Sequence, residues 1–487
     1  MFIKPYRDVI ELLFRTRFAP SPTGYMHLGN LRTALFGYLL ARKMGGTFVL
    51  RIEDTDQERF VAAAVEKIYE TLRIAGISHD EGPDVGGSYG PYVQSERKSN
   101  YLEYAKELVA KGSAYYCFCT KDRLEGLEEY DRHCCGLSID EINKNLADGL
   151  SFVIRQLIPQ GKTTFIDQVY GEITIENEEL EDQVLIKSDG MPTYNFANVV
   201  DDHLMAITHV MRGSEYLTST PKYNLLYQAM GWDIPIYVHL PHILREGGGK
   251  LSKRHGDAYF EDFLDKGFLP EAIINYIVLL GWSPPENREI YSLAELEQIF
   301  GVEGISKSPS IFDMAKLRWF NGEYLKAMDF DAFYALAESH VRQAVKRQDV
   351  DIKALAKIVQ GRIATLDELP EMLDFIDNLP EYDTELYTHK KSKCDVAIAA
   401  DVLSKIAPKL AEYDEGPWNN ESLYKFMTDF AQEAGLKNSQ VLWPMRVALS
   451  GKPATPGGAS DLLAILGKAE SMRRIHHALS KGGMDVV

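Results

Sequence analysis

Cysteine is scarce in this 487-residue chain: five in all, four of them crowded between positions 117 and 135. A secreted framework stapled by disulfides needs pairs spread along the chain, so that class is a poor fit and the cytoplasm is the expected compartment. No run of eighteen apolar residues occurs, and no transmembrane helix is expected. The opening MFIKPYRDVIELLFRTRF carries charges through its apolar part and has no small-residue cleavage site, which argues against a signal peptide. Basic residues are in deficit too. Lys and Arg number 53 against 71 Asp and Glu, a formal net charge of −18. Such a chain is not coated with phosphate-binding surface. RNA contact is not excluded, but it must run along a local basic stripe and be salt-sensitive. Repeats, low-complexity tracts and heptads do not stand out, so the chain reads as a monomer. What is present, 45% hydrophobic and 11% aromatic residues, suffices for three or four ordinary globular domains.

The most informative stretch is residues 15–54, RTRFAPSPTGYMHLGNLRTALFGYLLARKMGGTFVLRIED. A short strand from Thr16 to Ala19 runs into a turn holding Pro20, Ser21, Pro22 and Gly24. His-Leu-Gly-Asn follows at 27–30, then an apolar helix from about Leu31 to Met44. Gly45 and Gly46 stop it, and Thr47 to Ile52 reads as a second strand. This is the βαβ start of a doubly wound sheet. Pro20 and Pro22 stiffen the turn, while Gly24 and Gly29 let backbone approach a ligand closely. The helix N-terminus offers free N–H groups and a positive dipole end to a phosphate, with His27 as a further donor. Neither a Walker loop nor a G-x-G-x-x-G fingerprint is present here. Taken alone, the four HLGN residues read better as a structural loop with one ordinary histidine.

A second motif, EGGGKLSKRHGD at 246–257, changes that balance. Three glycines ahead of Lys250, Lys253, Arg254 and His255 describe a mobile cationic loop suited to a polyphosphate whose charge rises during reaction. HLGN and KLSKR together resemble the paired HIGH and KMSKS motifs of class I aminoacyl-tRNA synthetases. Longer runs resemble the bacterial glutamyl-tRNA synthetases: RFAPSPTGYMHLGNLRTAL, RIEDTD, KSDGMPTYNFANVVDDHLM and VMRGSEYLTSTPK. The resemblance is detailed over 15–325 and continues more loosely to the end.

That resemblance implies an α/β fold: a Rossmann-type doubly wound parallel sheet with an inserted mixed α/β domain, then an all-helical anticodon-binding region. The expected boundaries are 1–112 and 197–245 for the halves of the catalytic domain, and 113–196 for the insertion that guides the tRNA acceptor end. The KLSKR loop and stem-contact region take 246–330, and the helical region 331–487. It implies catalytic roles for His27, Lys250 and Lys253. The ATP site would use Ser21, Gly24, His27, Gly29 and Lys253, with Mg2+. Glutamate would be held by Arg17, Ser21, Glu53, Tyr194, Asn198 and Arg212, with Tyr216 nearby. The chemistry agrees at several of these positions. Glu53 and Asp56, at a strand's carboxyl end, can hold an α-ammonium group, although Asp54 and Asp56 also read as helix N-cap acids. Within 209–216, a strand ending in Arg212 presents a guanidinium that suits a side-chain carboxylate, which an amide does not need.

Within 113–200 the α/β rhythm breaks. Strand-like runs at 152–158, 163–166, 172–175 and 183–187 suit a small mixed β domain. The spacing C-x-C-x14-C-C at 117–135 is a fair zinc pattern. In some bacterial relatives a Cys-x-Cys pair, a later Cys and a His hold a structural zinc. Cys117, Cys119 and Cys134 match, but the His position is Gly136, leaving Cys135, His133 or a tyrosine as fourth ligand. An unmetallated loop of buried thiols is the alternative. Beyond 330 the pattern is amphipathic helices. Trp418, Lys437, Trp443 and Arg446 are candidates for RNA contact, with core packing the competing role for the tryptophans.

The reading is ATP-dependent ligation of L-glutamate to tRNA(Glu) through a glutamyl-adenylate. Rivals are a glutaminyl-tRNA synthetase, a shorter relative that modifies a tRNA base and lacks the helical region, and a non-catalytic tRNA-binding protein on the same fold.

Overall fold

A computed structural model describes residues 14–22, 24, 26–55, 62–127, 130–249, 251, 259–414, 416 and 418–481. The expected lead-in helix at 1–14 falls almost wholly outside them. Arg15–Phe18 forms β1, buried along its length, and Leu28–Lys43 forms α1. The helix starts three residues before the expected Leu31 because His27 caps it. The imidazole Nδ1 accepts the Gly29 N–H at 3.1 Å, the task a Ser or Asp performs at most N-caps. HLGN is therefore the cap and first turn of the helix, not the loop before it. Thr47–Leu50 (β2) returns parallel to β1, in register from Arg15↔Thr47 to Phe18↔Leu50. Helices α2 (Ala62–Ile74) and α3 (Lys98–Ala110) follow.

The next segment holds β3 (Ala114–Cys117), α4 (Lys121–Glu125), α5 (Ile139–Ala147), β4 (Val153–Gln156), β5 (Lys162–Asp167), β6 (Gly171–Glu176) and β7 (Val184–Ile186). Its strands, expected to suit a small mixed β domain, fall in two sheets. β3, β4 and β7 make an antiparallel sheet of their own, whereas the β5–β6 hairpin extends the main sheet. The reason lies in β5, whose residues alternate exposed and buried. Its inward face carries Phe165, which packs with Val210 and Tyr237 of the main sheet. A half-apolar hairpin has to bury that face against a neighbour.

The chain then returns through α6 (Tyr194–Leu204), β8 (His209–Gly213), α7 (Thr220–Met230), β9 (Ile236–Leu240) and β10 (Ile243–Leu244). The main sheet runs β2-β1-β8-β9-β5-β6, parallel except for β6. β2 lies to one side of β1 and β8 to the other, so the strand order reverses at β1. In open α/β sheets, ligands bind at the carboxyl ends of strands beside such a reversal. Helices α8 (Phe260–Asp265), α9 (Pro270–Leu279) and α10 (Leu293–Ile299), with β11 (Ser310–Ile311) paired to β10, complete this unit, which spans 1–265 and 270–314.

The second unit, 266–269 and 315–487, is helical among its described residues. It contains most of α11 (Met314–Ala327), then α12 (Phe330–Ala344), α13 (Ile352–Val359), α14 (Leu369–Asp377), α15 (Val396–Glu412), α16 (Asn420–Glu433), α17 (Asn438–Ser450) and α18 (Ala459–Ser480), kinked at Gly467. Arg474 of α18 is fully buried and donates to the carbonyls of Phe375, Ile376 and Leu449. Both candidate tryptophans are anchored. The Trp418 indole donates to the Leu463 carbonyl, and that of Trp443 to the Tyr387 carbonyl. No described helix is long and apolar enough to cross a membrane.

Candidate active site

At the carboxyl ends of β1, β8 and β9 opens a cavity of about 340 Å3. Its walls come from Arg17 to Ser21 after β1, from His27 and Gly29 at the start of α1, and from Tyr194, Arg212, Tyr216 and Leu240 to Ile243. Seven of the sequence-selected residues therefore share one wall system: Arg17, Ser21, His27, Gly29, Tyr194, Arg212 and Tyr216. Gly24 lies in the same turn with φ +143, a value that favours glycine. Lys250, Lys253 and Asp56 lie outside the described residues. Leu251 is described, and its carbonyl is 3.0 Å from His27 Nε2. Since Nδ1 accepts the Gly29 amide, Nε2 carries the proton and donates to Leu251. The HLGN motif thus meets the KLSKR motif at this bond. Burial lowers the His27 pKa from its ordinary value.

Arg32 fixes the α1 side of the cavity. Its guanidinium donates to the Leu280 carbonyl at 2.8 Å and also to that of Pro241. Burial lowers its pKa to about 10.

Beside the cavity lies a buried charge network. Arg17 Nε donates to Asp202 at 3.1 Å and its Nη1 to the Met211 carbonyl at 3.2 Å. Arg51 bridges Asp202 at 2.8 Å and Glu53 at 2.8 Å, and Arg97 holds Asp201 at 2.7 Å. Three guanidiniums thus face three carboxylates, with Gln94 and Tyr101 donating to Asp201. Burial would raise the Asp202 carboxyl, but Arg17 and Arg51 outweigh it and hold it below the ordinary range. At Glu53 burial wins over the same two arginines and the pKa is raised. Its Oε1 takes Arg51 and stands 3.4 Å from the Asn198 amide, while Oε2 has no hydrogen-bond partner among the described residues. Glu53 and Asn198 sit off the cavity wall, but the charge of Glu53 reaches it. The Tyr194 hydroxyl, raised far above its usual pKa mainly by burial, also feels Glu53. Asp54 accepts the Ser95 N–H at 2.8 Å.

Sequence reasoning missed Arg51, Arg97, Asp201 and Asp202 as site-forming groups. A signal existed: two adjacent acids in the apolar run VVDDHL, on a helix whose buried face includes both.

In the β3 region the three predicted thiols meet. The Sγ atoms of Cys117, Cys119 and Cys134 all lie within 4.8 Å of one another, Cys119 and Cys134 at 3.6 Å. The Tyr130 hydroxyl is 3.1 Å from Cys117 Sγ, and the Arg155 guanidinium covers its ring. Burial and the neighbouring thiols push Cys119 up to about 12. His133 is exposed, and neither it nor Cys135 joins this cluster.

A sheet reversing at β1, parallel but for β6, with a histidine-capped helix start bonded to Leu251 of the KLSKR motif, is the arrangement of a class I aminoacyl-tRNA synthetase catalytic domain. Residues 13–319 match the family described as "tRNA synthetases class I (E and Q), catalytic domain", and 332–479 match "Anticodon binding domain". A glutamate–tRNA ligase of Clostridium botulinum (strain Eklund 17B / Type B) is 56% identical over 472 residues, 95% of this chain and 97% of the relative. One from Clostridium kluyveri is 54% identical over 478 residues, 96% and 98% of the two chains. The crystal structure of a glutamate tRNA ligase from Elizabethkingia meningosepticum, in complex with its amino acid, superposes with a TM-score of 0.85. It is 34% identical and covers 96% of this chain and 99% of its own. The chain belongs to the glutamate–tRNA ligase family.

Proposed function

We propose that the chain ligates L-glutamate to tRNA(Glu) using ATP, with glutamyl-adenylate as intermediate. The observation that carries this reading is Arg212, a guanidinium lining the same cavity as the capped start of α1. A side-chain carboxylate calls for such a group and an amide does not. In this reading Arg212 receives the side-chain carboxylate, and Arg17, Ser21 and Tyr194 position the rest of the amino acid. The α-ammonium goes to Glu53, which has a spare carboxylate oxygen, with Asn198 beside it. The α-carboxylate attacks the ATP α-phosphorus in line and pyrophosphate leaves. The N-terminus of α1, Gly24, Gly29 and His27 hold the phosphates, and Lys250 and Lys253 neutralise charge as it develops on the leaving group. Mg2+, when bound, would supply further neutralisation. A ribose hydroxyl of the terminal tRNA adenosine then takes the glutamyl group and AMP leaves. No side chain forms a covalent intermediate; positioning and charge carry the rate.

The thiol cluster fits a structural zinc. Tetrahedral Zn–S bonds of about 2.3 Å place sulfurs about 3.8 Å apart, close to the Cys119–Cys134 separation. Cys117, Cys119 and Cys134 would hold the ion, with the Tyr130 hydroxyl the oxygen best placed to complete the set. A cytoplasmic monomer remains the reading for the chain's state.

The test is ATP–pyrophosphate exchange with glutamate, with and without tRNA. Exchange only with tRNA present supports the ligase. Exchange without tRNA points to the base-modifying relative, and none from folded protein to a non-catalytic tRNA-binding protein.

A further inference from the structure

Behind Arg212 runs a buried row of polar side chains contributed by four different elements. Asp167 ends β5, His239 lies on β9, Arg212 on β8 and Thr220 opens α7. Asp167, His239 and Thr220 are 1% exposed or less. Asp167 Oδ1 accepts the amides of Val169 and Tyr170 at 2.9 and 2.8 Å, which closes the β5–β6 turn. Its Oδ2 accepts the His239 backbone N–H at 3.1 Å and faces His239 Nδ1 at 2.7 Å. A carboxylate can only accept, so Nδ1 carries the proton and Nε2 is left as a lone pair. Arg212 Nε stands 3.1 Å from that lone pair. Thr220 cannot compete for it. Its hydroxyl proton goes to the Tyr216 carbonyl at 2.8 Å, and its oxygen accepts Arg212 Nη2 at 2.8 Å. The rings of Tyr216, Tyr223 and Tyr237 flank the guanidinium at 4.5 to 5.2 Å.

We propose that Asp167 and His239 are positioning residues for substrate selection. They fix the imidazole tautomer that holds the Arg212 guanidinium in the orientation needed to receive a substrate's side-chain carboxylate. This rests on the reading that Arg212 receives that carboxylate. The hydrogen-bond assignment leaves Nη1 without a partner among the described residues while Nε and Nη2 are pinned, so one edge of a rigid fork stays available. An arginine free to rotate would lose part of its binding to the cost of ordering it. Protonation agrees with the geometry. Burial would raise the Asp167 carboxyl, but the bonds from His239 and the two amides outweigh it and keep it low. Burial lowers the His239 pKa against the pull of Asp167, which favours the neutral ring. The β5–β6 hairpin, an unexpected addition to the main sheet, thereby becomes part of the substrate pocket's support.

The test uses the full chain and pyrophosphate exchange in the presence of tRNA, with glutamate and ATP varied separately. In Asp167→Asn the amide oxygen can keep the two turn amides, but its NH2 group then faces His239 Nδ1. The ring must move its proton to Nε2, where it opposes Arg212 Nε–H. The glutamate KM should rise about 10- to 100-fold while the ATP KM stays within about twofold. His239→Gln keeps a donor for Asp167 and an acceptor for Arg212 and should restore most of the loss; His239→Leu should not. A role in stability alone would move both KM values together or neither, and would overturn the proposal. If Asp167→Asn does not fold, the two His239 variants decide: equal glutamate KM values overturn it. Arg212→Gln separates the layers. An unchanged glutamate KM there refutes the role of Arg212 itself. A raised KM there, beside unaffected Asp167 and His239 variants, refutes only the positioning.

Discussion

Replacing Glu53 with glutamine removes one charge and almost no volume. In the native site Oε1 is held by Arg51 Nη2 at 2.8 Å and Nε at 3.2 Å, while Oε2 is buried without a partner among the described residues. An α-ammonium placed against Oε2 at about 3 Å would gain about 5.5 kcal/mol of Coulomb attraction at an effective dielectric of about 20. Desolvation cancels much of this, and hydrogen bonds to charged groups keep about 1.5–3 kcal/mol net. The upper end applies here because the oxygen is already desolvated by the fold. About 3 kcal/mol corresponds to a rise of about 150-fold in the glutamate KM for Glu53→Gln. Folding should lose little, since Arg51 keeps Asp202 at 2.8 Å and burial already disfavours the Glu53 charge. The assay is pyrophosphate exchange with tRNA present, paired with inhibition by glutarate, which has both carboxylates and no ammonium. Wild type and variant should bind glutarate almost equally. If glutarate inhibition weakens by the same factor as glutamate, Glu53 acts through the fold and not on the ammonium, and the reasoning fails.

Cys119→Ser should abolish bound zinc, measured as metal per chain by plasma emission. Tyr130→Phe should keep the ion but release it faster to a chelator; metal-free wild-type protein would refute the site. Arg474→Met strands three buried carbonyls and should cost the helical unit about 3–5 kcal/mol in denaturant unfolding. Amino-acid activation by the folded variant should be unaffected. The pKa of His209, half-buried and stacked on Phe14 with 4.1 Å between ring centroids, falls to about 4 through desolvation. The fold therefore favours its neutral form, while the unfolded chain takes up a proton near pH 6.5. Its contribution is complete above pH 6.5 and is lost as pH falls toward 4. His209→Phe should flatten the decline of melting temperature between pH 7 and 4.5; an unaltered slope would show that other groups dominate.

Much of the site was legible because it is carried by short local patterns. The strand–turn–helix of 15–44 needs only Pro, Gly and an apolar helix in sequence, so Arg17, Ser21, His27 and Gly29 could be placed together before any coordinates. The helix start was misjudged because a histidine is a rare cap and its role depends on where Nδ1 points. The thiols at 117, 119 and 134 could be grouped from spacing, but not the tyrosine beside them, since only the fold brings the Tyr130 hydroxyl within 3.1 Å of Cys117 Sγ.

The residues by themselves determined the α/β class, the strand–turn–helix opening, the helical second half and two of the guanidinium groups that line the cavity, Arg17 and Arg212. Only tertiary structure decided which charges neutralise one another. Arg51 and Glu53 adjoin in sequence, but Asp201, Asp202 and Arg97 reach them through helices about 50 to 150 residues away. It also decided that the β5–β6 hairpin belongs to the main sheet, and so that Asp167 stands behind Arg212. Pairing of strands and of buried ions is set by burial and by hydrogen-bond satisfaction across the whole unit. Local propensity carries no record of either.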